Sequence, residues 1–447
     1  MRTRVIGWFS ASVYRPDTRV GLICLAFAGV SFGVVPGGGL AGSSVCAQNV
    51  GQEFRQELSP GRPKPIVTMT VDSHGGVNAV RSGTSVWPRL AAEFETPHAL
   101  MLSVGDWQPH HRFILQEIAR KTRGHLPLVV LCSDSIQMKE TTRWLSENGE
   151  EFPELYLCMM PTDTVWLRDF GPTFMQNADT FGKPTRADVL DFFYVGSRPL
   201  DDRLPHVWGQ QTRSQVVTVP WTIQGGNLMS NGRGLALTTT RIFEDNHIEF
   251  ERTFPGQDAA LDGRRIVVEA FAEACNLSQL VVLEPLQSEE TRHVDMFTTF
   301  LSPRDVLVAR LDPNLDPVNA AILERNAERL GKIRVDMGAD GELPMQVHRV
   351  AIPVRDGTSW SAYTNAILAN DLVLMPVFAD ESPDMIRRAV QTYQRLLPNH
   401  HVKTIDMSSM KKLQGELHCL SLHVPAFAEM PKTVYRYRDA VGHYFPE

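Results

Sequence analysis

From residue 91 to the C-terminus, short apolar runs alternate with longer amphipathic stretches, with several runs for each amphipathic stretch. Apolar runs of about four to eight residues are typical of buried strands, and longer segments with a period of about 3.6 residues are typical of helices. The periodicity predicts helices at residues 109–122, 136–147, 265–275, 317–331 and 383–397. It predicts strands at residues 99–104, 126–132, 155–160, 189–195, 215–219, 235–240, 280–283, 296–301, 306–309, 333–337, 345–352, 363–368, 372–377 and 402–405. Because the pattern recurs about five times without a long linker, it indicates one α/β domain of repeated units at residues 91–447.

The composition is that of a folded protein. The chain has 447 residues, of which 43% are apolar and 21% charged, and this excludes collagen-like, coiled-coil and wholly disordered chains. Its 44 Lys and Arg against 51 Asp and Glu give a formal net charge of −7. No basic stripe with interleaved aromatic residues is present, so we expect no nucleic-acid partner. A cationic substrate fits the mild acidity better.

The N-terminus has the pattern of a targeting segment. Arg2, Arg4, Arg15 and Arg19 precede an apolar stretch at residues 20–35, and small residues follow at 45–47. The stretch is short for a membrane-spanning helix, which needs about 20 apolar residues. We therefore expect a signal peptide at residues 1–47, a secreted or periplasmic protein, and no stable membrane partner after cleavage. An uncleaved membrane anchor remains an alternative. Residues 48–90 are rich in Gln, Gly, Ser and Pro, which predicts a linker or poorly ordered lead-in.

The spacing of the cysteines does not indicate a dense disulfide framework. Two of the six lie in the targeting segment, and the remaining four include no C-x-x-C pair. Cys132, Cys158 and Cys275 lie in apolar runs, which favours buried thiols. A disulfide between Cys132 and Cys158 remains an alternative.

The first chemical motif follows a predicted strand and ends in Gly-Pro. It contains Trp166, Arg168, Asp169 and Phe170, and loops at strand ends are common positions for binding sites. The alternative is that Arg168 and Asp169 form a local ion pair and that Trp166 belongs to the core. The second motif is Gly225-Gly226-Asn227, which by itself also fits a hairpin turn.

The third and fourth motifs contain groups suited to acid–base and nucleophilic chemistry. His293 and Asp295 flank one residue directly before a predicted strand, so in an extended segment they would project from the same face. That pairing suits proton transfer beside a cation, and a metal half-site or a surface pair is the alternative. Gly415-Glu416-Leu417-His418-Cys419 places a cysteine near the C-terminus. Cys419 is a candidate nucleophile whose partners meet only in the fold, or else a buried structural cysteine.

The four motifs in this order, with Tyr363-Thr364-Asn365 between the third and fourth, closely resemble the family of agmatine deiminases and Porphyromonas-type peptidyl-arginine deiminases. The pattern is W-x-R-D-x-G-P, then G-G-N, then H-x-D, then an asparagine beside a strand, then H-C. The resemblance runs from residue 91 to the C-terminus. It implies a pentein fold, a five-bladed α/β propeller of ββαβ-like units around a central site.

The resemblance also implies roles for individual residues. Cys419 would be the nucleophile, His293 the general acid/base, and Asp169 and Asp295 the catalytic carboxylates that bind the guanidinium. Trp166 and Phe170 would line the pocket, Asn365 would orient the site, and Gly226 and Asn227 would complete the substrate-binding residues. The reaction would convert a guanidino group to a ureido group plus ammonia through a covalent amidino-cysteine intermediate, with no metal or organic cofactor.

Three departures from the family pattern bear on the substrate. Arg292 stands where glycine is usual, Asp163-Thr164 where agmatine deiminases have Asn-Asp, and Gln224 where they tend to have glutamate. With the predicted secretion, these favour arginine in peptides, converted to citrulline, over the alternative, agmatine converted to N-carbamoylputrescine in putrescine biosynthesis. Other cysteine enzymes of the same scaffold, and an inactive pentein-fold binding protein, are more distant alternatives. The sequence leaves the oligomeric state and calcium dependence open.

Overall fold

The computed structural model describes residues 67–437 and 439, apart from 83–86, 106–108, 148, 180, 182, 195, 247–258, 356–359, 411–412 and 414. The described residues belong to one compact unit. The predicted signal peptide at 1–47, and residues 48–66 of the predicted lead-in, lie outside them. Within the described ranges, no helix is both long enough and apolar enough to span a bilayer.

Strands and helices alternate along the described chain. The strands are β1 Val67–Val71, β2 Val77–Arg81, β3 Arg89–Leu90, β4 Pro97–Ser103, β5 Leu128–Cys132, β6 Leu155–Met159, β7 Thr173–Ala178, β8 Pro184–Phe193, β9 Gln215–Thr222, β10 Met229–Ser230, β11 Leu235–Thr239, β12 Gln279–Leu283, β13 Thr298–Phe300, β14 Asp305–Arg310, β15 Arg334–Asp336, β16 Glu342–Pro344, β17 Gln346–Ala351, β18 Ile367–Ala369, β19 Leu372–Val377, β20 His401–Asp406, β21 Ser421–Pro425 and β22 Val434–Arg436. The helices are α1 Pro109–Thr122, α2 Ser135–Ser146, α3 Leu167–Phe170, α4 Pro199–Asp202, α5 Leu204–Thr212, α6 Arg241–Asp245, α7 Ala259–Ala274, α8 Pro317–Gly331 and α9 Pro383–Leu396.

Five of the sheets in the described ranges share one plan. A first strand pairs antiparallel with a second, at least one helix follows, and a third strand pairs parallel with the second. The five strand triplets, from the first blade to the fifth, are β21–β4–β5, β7–β8–β9, β10–β11–β12, β13–β14–β17 and β18–β19–β20. These ββαβ units confirm the predicted five-bladed α/β propeller.

The apolar cores lie between neighbouring blades, and so they join the blades into a ring. Buried side chains of the same core are Met101 with Val189 for the first and second blades, Leu190 with Leu280 for the second and third, Val281 with Val306 for the third and fourth, Val308 with Val373 for the fourth and fifth, and Leu372 with Leu100 for the fifth and first. Full burial of one such side chain contributes about 1.5–3 kcal/mol. The last core closes the ring.

The two ends of the propeller meet in the first blade. β21, near the C-terminus, pairs antiparallel with β4, placing Ser421 opposite Leu102. β6 and β22 extend this sheet on its other side. Cys419 therefore lies directly before the strand that closes the ring, and its position depends on the whole propeller.

The bounds of two helices agree with the prediction, and one of the two has a side-chain cap at its start. α8 begins at Pro317, a residue suited to a first helical position, and the Asp316 side chain accepts a hydrogen bond of 3.0 Å from the Asn319 amide. The observed bounds of α1 and α8 are those predicted from the periodicity. α7 begins before the predicted 265–275.

Three parts of the strand prediction are wrong. The predicted lead-in at 48–90 contains β1, β2 and β3, and β2 pairs with β12 of the third blade, so the domain begins before residue 91. β13 and β18 are shorter than predicted, because residues just before them form turns. β7, β10, β16, β21 and β22 were not predicted; β7 carries no long apolar run that would mark it as a strand.

Candidate active site

Each of five turns in the described chain leads into the first strand of one blade, and each carries one of the sequence motifs. They are α3 before β7, Gly225–Asn227 before β10, Val294–Met296 before β13, the Tyr363-Thr364-Asn365 segment before β18, and His418–Leu420 before β21. Because the five blades form a ring, these equivalent positions meet at its centre. The fold therefore places the motifs together although they are far apart in sequence.

Gly226 lies among three of the predicted catalytic groups. Its amide donates a hydrogen bond of 3.3 Å to Asp169 Oδ1. A Cβ atom at this position would lie 2.7 Å from His293 Nδ1, 3.0 Å from Asp169 Oδ1 and 3.0 Å from Asp295 Oδ2. Only a residue without a side chain leaves these three groups facing one another. The structure thus brings together Asp169, Gly226, His293 and Asp295 as the sequence predicted.

His293 is nearly fully buried, and neither ring nitrogen has a hydrogen-bond partner within the described chain. Its Nδ1 lies 3.6 Å from Asp169 Oδ1. The predicted extended His293–Asp295 segment is wrong, because Val294–Met296 form a short 3-10 turn. The amide of Val294 donates to Asn227 Oδ1 at 3.2 Å, which helps to hold the turn against the second motif.

Cys419 lies beside Asn365 in a buried environment. Asn365 Nδ2 is 3.5 Å from Cys419 Sγ, and Asn365 Oδ1 accepts a hydrogen bond of 2.9 Å from the His418 amide. Asn365 therefore fixes both the thiol and the backbone that carries it, consistent with its predicted orienting role. Burial raises the pKa of the Cys419 thiol well above its usual value, and the charges of Asp295 and Asp169 raise it further.

The two predicted carboxylates have different surroundings. Burial raises the pKa of Asp169, with a further increase from the Asp295 charge, although His293 and the Gly226 amide oppose the shift. Asp295 Oδ2 lies 2.7 Å from His418 Nδ1, whereas its buried Oδ1 has no hydrogen-bond partner in the described chain. Unpaired buried oxygens are costly, so a cation between these carboxylates would be favourable.

Trp166 packs against the segment that leads to Cys419, whereas Asn227 connects two other loops of the site. Gly415 packs closely against Trp166, because a Cβ at Gly415 would lie 2.0 Å from the indole ring. Trp166 thus contacts the segment that leads to the nucleophile. Asn227 Oδ1 accepts hydrogen bonds from the amides of Thr239 at 3.1 Å and Val294 at 3.2 Å, and the buried Nδ2 has no hydrogen-bond partner among the described residues, so its binding of substrate stays a prediction. This oxygen joins loops of the site to one another.

Sequence reasoning missed Glu93 and His418. Arg168 contacts Glu93, so the alternative of a local Arg168–Asp169 ion pair is wrong. His418 Nε2 lies 2.5 Å from Glu93 Oε2. A histidine next to the candidate nucleophile was a visible signal for His418. Glu93 lies 326 positions before Cys419 in the chain, and only the closure of the ring brings it near.

Two of the three departures from the family pattern, Arg292 and Asp163-Thr164, make contacts outside the cluster around Gly226. Arg292 has a φ of 57°, a left-handed conformation that favours glycine, and its guanidinium pairs with Glu244. Asp163 accepts hydrogen bonds from backbone amides of α4, and Thr164 Oγ1 donates to Asp201 at 2.8 Å. These two departures therefore bear on local structure, and they give little support to a difference in substrate.

The arrangement has the groups needed to attack a planar cation. One imidazole and two carboxylates surround Gly226, and Cys419 lies near enough to the carboxylates that their charges raise the pKa of its thiol. A guanidinium presents a forked set of donors that carboxylates bind well. No cluster of three His, Cys, Asp or Glu side chains suited to a metal ion is present in the ranges that the structure describes. Among the described residues, the cysteines other than Cys419 are also buried free thiols: Cys132, Cys158 and Cys275. The alternative of a Cys132–Cys158 disulfide is therefore wrong.

Known proteins with a similar sequence or fold act on guanidino groups. The family model of the Porphyromonas-type peptidyl-arginine deiminases matches residues 89–425. A putative agmatine deiminase of Mycoplasma mycoides is 24% identical over 292 residues, covering 60% of this chain and 76% of that protein. The agmatine deiminase of Pseudomonas fluorescens is 24% identical over 312 residues, covering 62% and 78%. The solved agmatine deiminase of Enterococcus faecalis has a TM-score of 0.61 at 18% identity, covering 76% and 96%, and shows the same pentein fold.

Proposed function

This chain belongs to the Porphyromonas-type peptidyl-arginine deiminase family and is a deiminase of guanidino groups; we propose that its preferred substrate is a small cationic compound of the agmatine class. The observation that carries the proposal is the convergence of Asp169, His293 and Asp295 around Gly226, with Asn365 holding Cys419 beside them. Two carboxylates offer a dry binding site for the planar cation. The curated relatives described above carry the agmatine deiminase name.

The proposed reaction begins with transfer of the Cys419 proton to His293, whose ring nitrogens have no partner among the described residues. The thiolate attacks the guanidinium carbon, and His293 returns the proton to the departing nitrogen, which leaves as ammonia. The remaining amidino-thioether is attacked by water, which gives up a proton to His293. Collapse of that adduct breaks the C–S bond, restores the thiol and leaves a ureido group. Asp169 and Asp295 hold the cation throughout.

The raised thiol pKa fits a site that becomes active when substrate enters. Without a cation, the Asp169 and Asp295 charges and burial oppose formation of the thiolate. A bound guanidinium places a positive charge beside the sulfur, and a nearby cation favours the thiolate. This supports the assignment of the carboxylates to cation binding.

Charge also bears on the choice among guanidino compounds. Two arginines of the motif segments, Arg168 and Arg292, are paired with Glu93 and Glu244 respectively. A substrate carboxylate, as in free arginine, therefore finds no ready partner in these side chains. Agmatine lacks that carboxylate, so it needs no such partner.

Arginine inside a peptide is the second candidate. The family description and the expected signal peptide at 1–47 favour it, and an internal arginine also lacks a free carboxylate. We propose that the protein is secreted or periplasmic; this rests on the arginine-then-apolar pattern of the N-terminal segment alone.

The test is turnover by the purified full-length chain of agmatine, free arginine and a terminally blocked arginine peptide, with ureido product and ammonia quantified. We expect turnover of agmatine at the highest kcat/KM and none by Cys419→Ala. Cys158→Ala, which removes a buried thiol that contacts Thr433, is the matched control and should stay active. Higher kcat/KM on the peptide would establish the second candidate, and failure to convert any guanidino compound would refute the proposal.

A further inference from the structure

The histidine beside the candidate nucleophile bridges two carboxylates. His418 Nδ1 lies 2.7 Å from Asp295 Oδ2, and His418 Nε2 lies 2.5 Å from Glu93 Oε2. A neutral imidazole has one N–H and can donate to only one of these oxygens, whereas an imidazolium donates to both. The His418 ring is buried, so it has little access to competing solvent. Two short contacts to two carboxylates therefore indicate a doubly protonated His418.

The other charges around this ring agree with that protonation state. Burial and Arg168 lower the pKa of His418, but Glu93 and Asp295 outweigh them and raise it. Burial alone would raise the pKa of the Glu93 carboxyl, but Arg168 and His418 hold this pKa well below its usual range. His423, on β21, lies 3.4 Å from Arg168, and burial lowers its pKa to about 4, so it adds no charge at neutral pH.

The bridge has a direct consequence for Asp295. Its Oδ2 is held by His418, and the carboxylate cannot rotate without breaking that hydrogen bond. Its Oδ1, buried and without a partner in the described chain, stays available to another donor. Charge-assisted hydrogen bonds of this type are stronger than neutral ones and fix geometry.

We infer that Glu93 is a positioning residue of the deiminase: through a doubly protonated His418 it fixes the Asp295 carboxylate in place for the guanidinium. Glu93 itself need not touch the substrate. The inference rests on the proposed role of Asp295 in binding the cation.

The chain offers a matched control for Glu93. Glu95 lies two residues further on, and both carboxylates line one cavity of about 470 Å³ that Arg168 and Gly225 also border. Glu95 pairs with Arg89 at 2.8 Å and has no hydrogen bond to His418. Glu93→Gln and Glu95→Gln thus remove equal charges from the same cavity, and only the first acts on the His418 bridge.

The experiment compares steady-state kinetics with agmatine over a range of pH. We expect Glu93→Gln to raise KM and lower kcat/KM by about tenfold, the size of a charge-assisted hydrogen bond. Because Glu93 helps to raise the pKa of His418, its loss lets the ring give up its second proton at lower pH, so the alkaline limb of the kcat/KM profile moves to lower pH. Glu95→Gln should leave KM and the limb unchanged, and Glu93→Asp, which keeps the charge, should restore the limb in part.

A purely structural role for Glu93 would lower thermal stability and the active fraction without moving KM or the alkaline limb, and that result would overturn the inference. Histidine-selective ¹⁵N NMR gives an independent readout, with the His418 signal assigned from its loss in His418→Gln. The inference predicts two protonated nitrogens in the wild type and one in Glu93→Gln. An inactive wild type would refute the proposed function, and a singly protonated wild-type ring would refute the inference by itself.

Discussion

Replacing Gly226 by alanine would add one methyl group at the centre of the site. The new carbon would lie 2.7 Å from His293 Nδ1 and 3.0 Å from Asp169 Oδ1 and Asp295 Oδ2. Ordinary contacts of a Cβ atom begin near 3.4 Å, so the imidazole must move by about 0.7 Å and each carboxylate by about 0.4 Å. Since a displacement of about 1 Å can cost about 100-fold in rate, we expect kcat/KM to fall about 10- to 100-fold, or about 1.4–2.7 kcal/mol.

The assay is ammonia release by Gly226→Ala beside Gly196→Ala. Gly196 is exposed, and an added Cβ there meets no atom within 4 Å, so this control should keep wild-type kinetics and stability. The atoms that crowd Gly226 belong to side chains, so the fold should persist with a loss of about 1–3 kcal/mol in unfolding free energy. Wild-type kcat/KM in a folded Gly226→Ala would refute the assignment of this point as the reaction centre.

Three further predictions follow from the same geometry. Because burial raises the pKa of Cys419, iodoacetamide should alkylate this thiol slowly at neutral pH in the free protein, as measured by mass spectrometry. The alkylation rate should increase only at a pH above the ordinary pKa of a thiol, and fast alkylation at neutral pH would contradict the raised pKa. Arg292→Gly should relieve the left-handed φ of 57° and lose only a weak surface pair with Glu244, so thermal unfolding should show unchanged or higher stability, by up to about 1 kcal/mol, with activity kept; a clear loss of stability would contradict this account. Asn365→Ala removes one acceptor of the buried His418 amide and the contact that holds the Cys419 thiol. It should lower the free energy of unfolding by about 1–3 kcal/mol in denaturant titration, and it should lower kcat more than it changes KM. An unchanged kcat would show that Asn365 does not act in the site.

Much of the fold was predictable because local signals mark its elements. Runs such as β5, buried along its whole length, and helices such as α8, with an aspartate cap and a proline at its start, agree closely with the sequence periodicity. β1 and β2 lacked such a signal: β1 is largely exposed at the edge of its sheet, and its residues alternate only briefly. The pairing of β2 with β12 is a long-range contact, which local periodicity does not contain.

The site was predictable in part for a different reason. Each motif stands directly before the first strand of one blade, so five local signals in chain order correspond to five positions around one centre. The contacts that join different blades had no such signal. The bridge from Glu93 through His418 to Asp295, and the hydrogen bonds of Asn227 to Thr239 and Val294, depend on closure of the ring.

The central claim is that Cys419 forms a covalent bond to the guanidinium carbon. The most direct measurement is acid quenching during turnover of agmatine, followed by mass spectrometry of the peptide that contains Cys419. The account predicts a fraction of this peptide carrying the mass of the substrate less one ammonia, no such adduct on Cys158, and no turnover by Cys419→Ala. Turnover with Cys419 unmodified at every quench time, together with activity in Cys419→Ala, would contradict it.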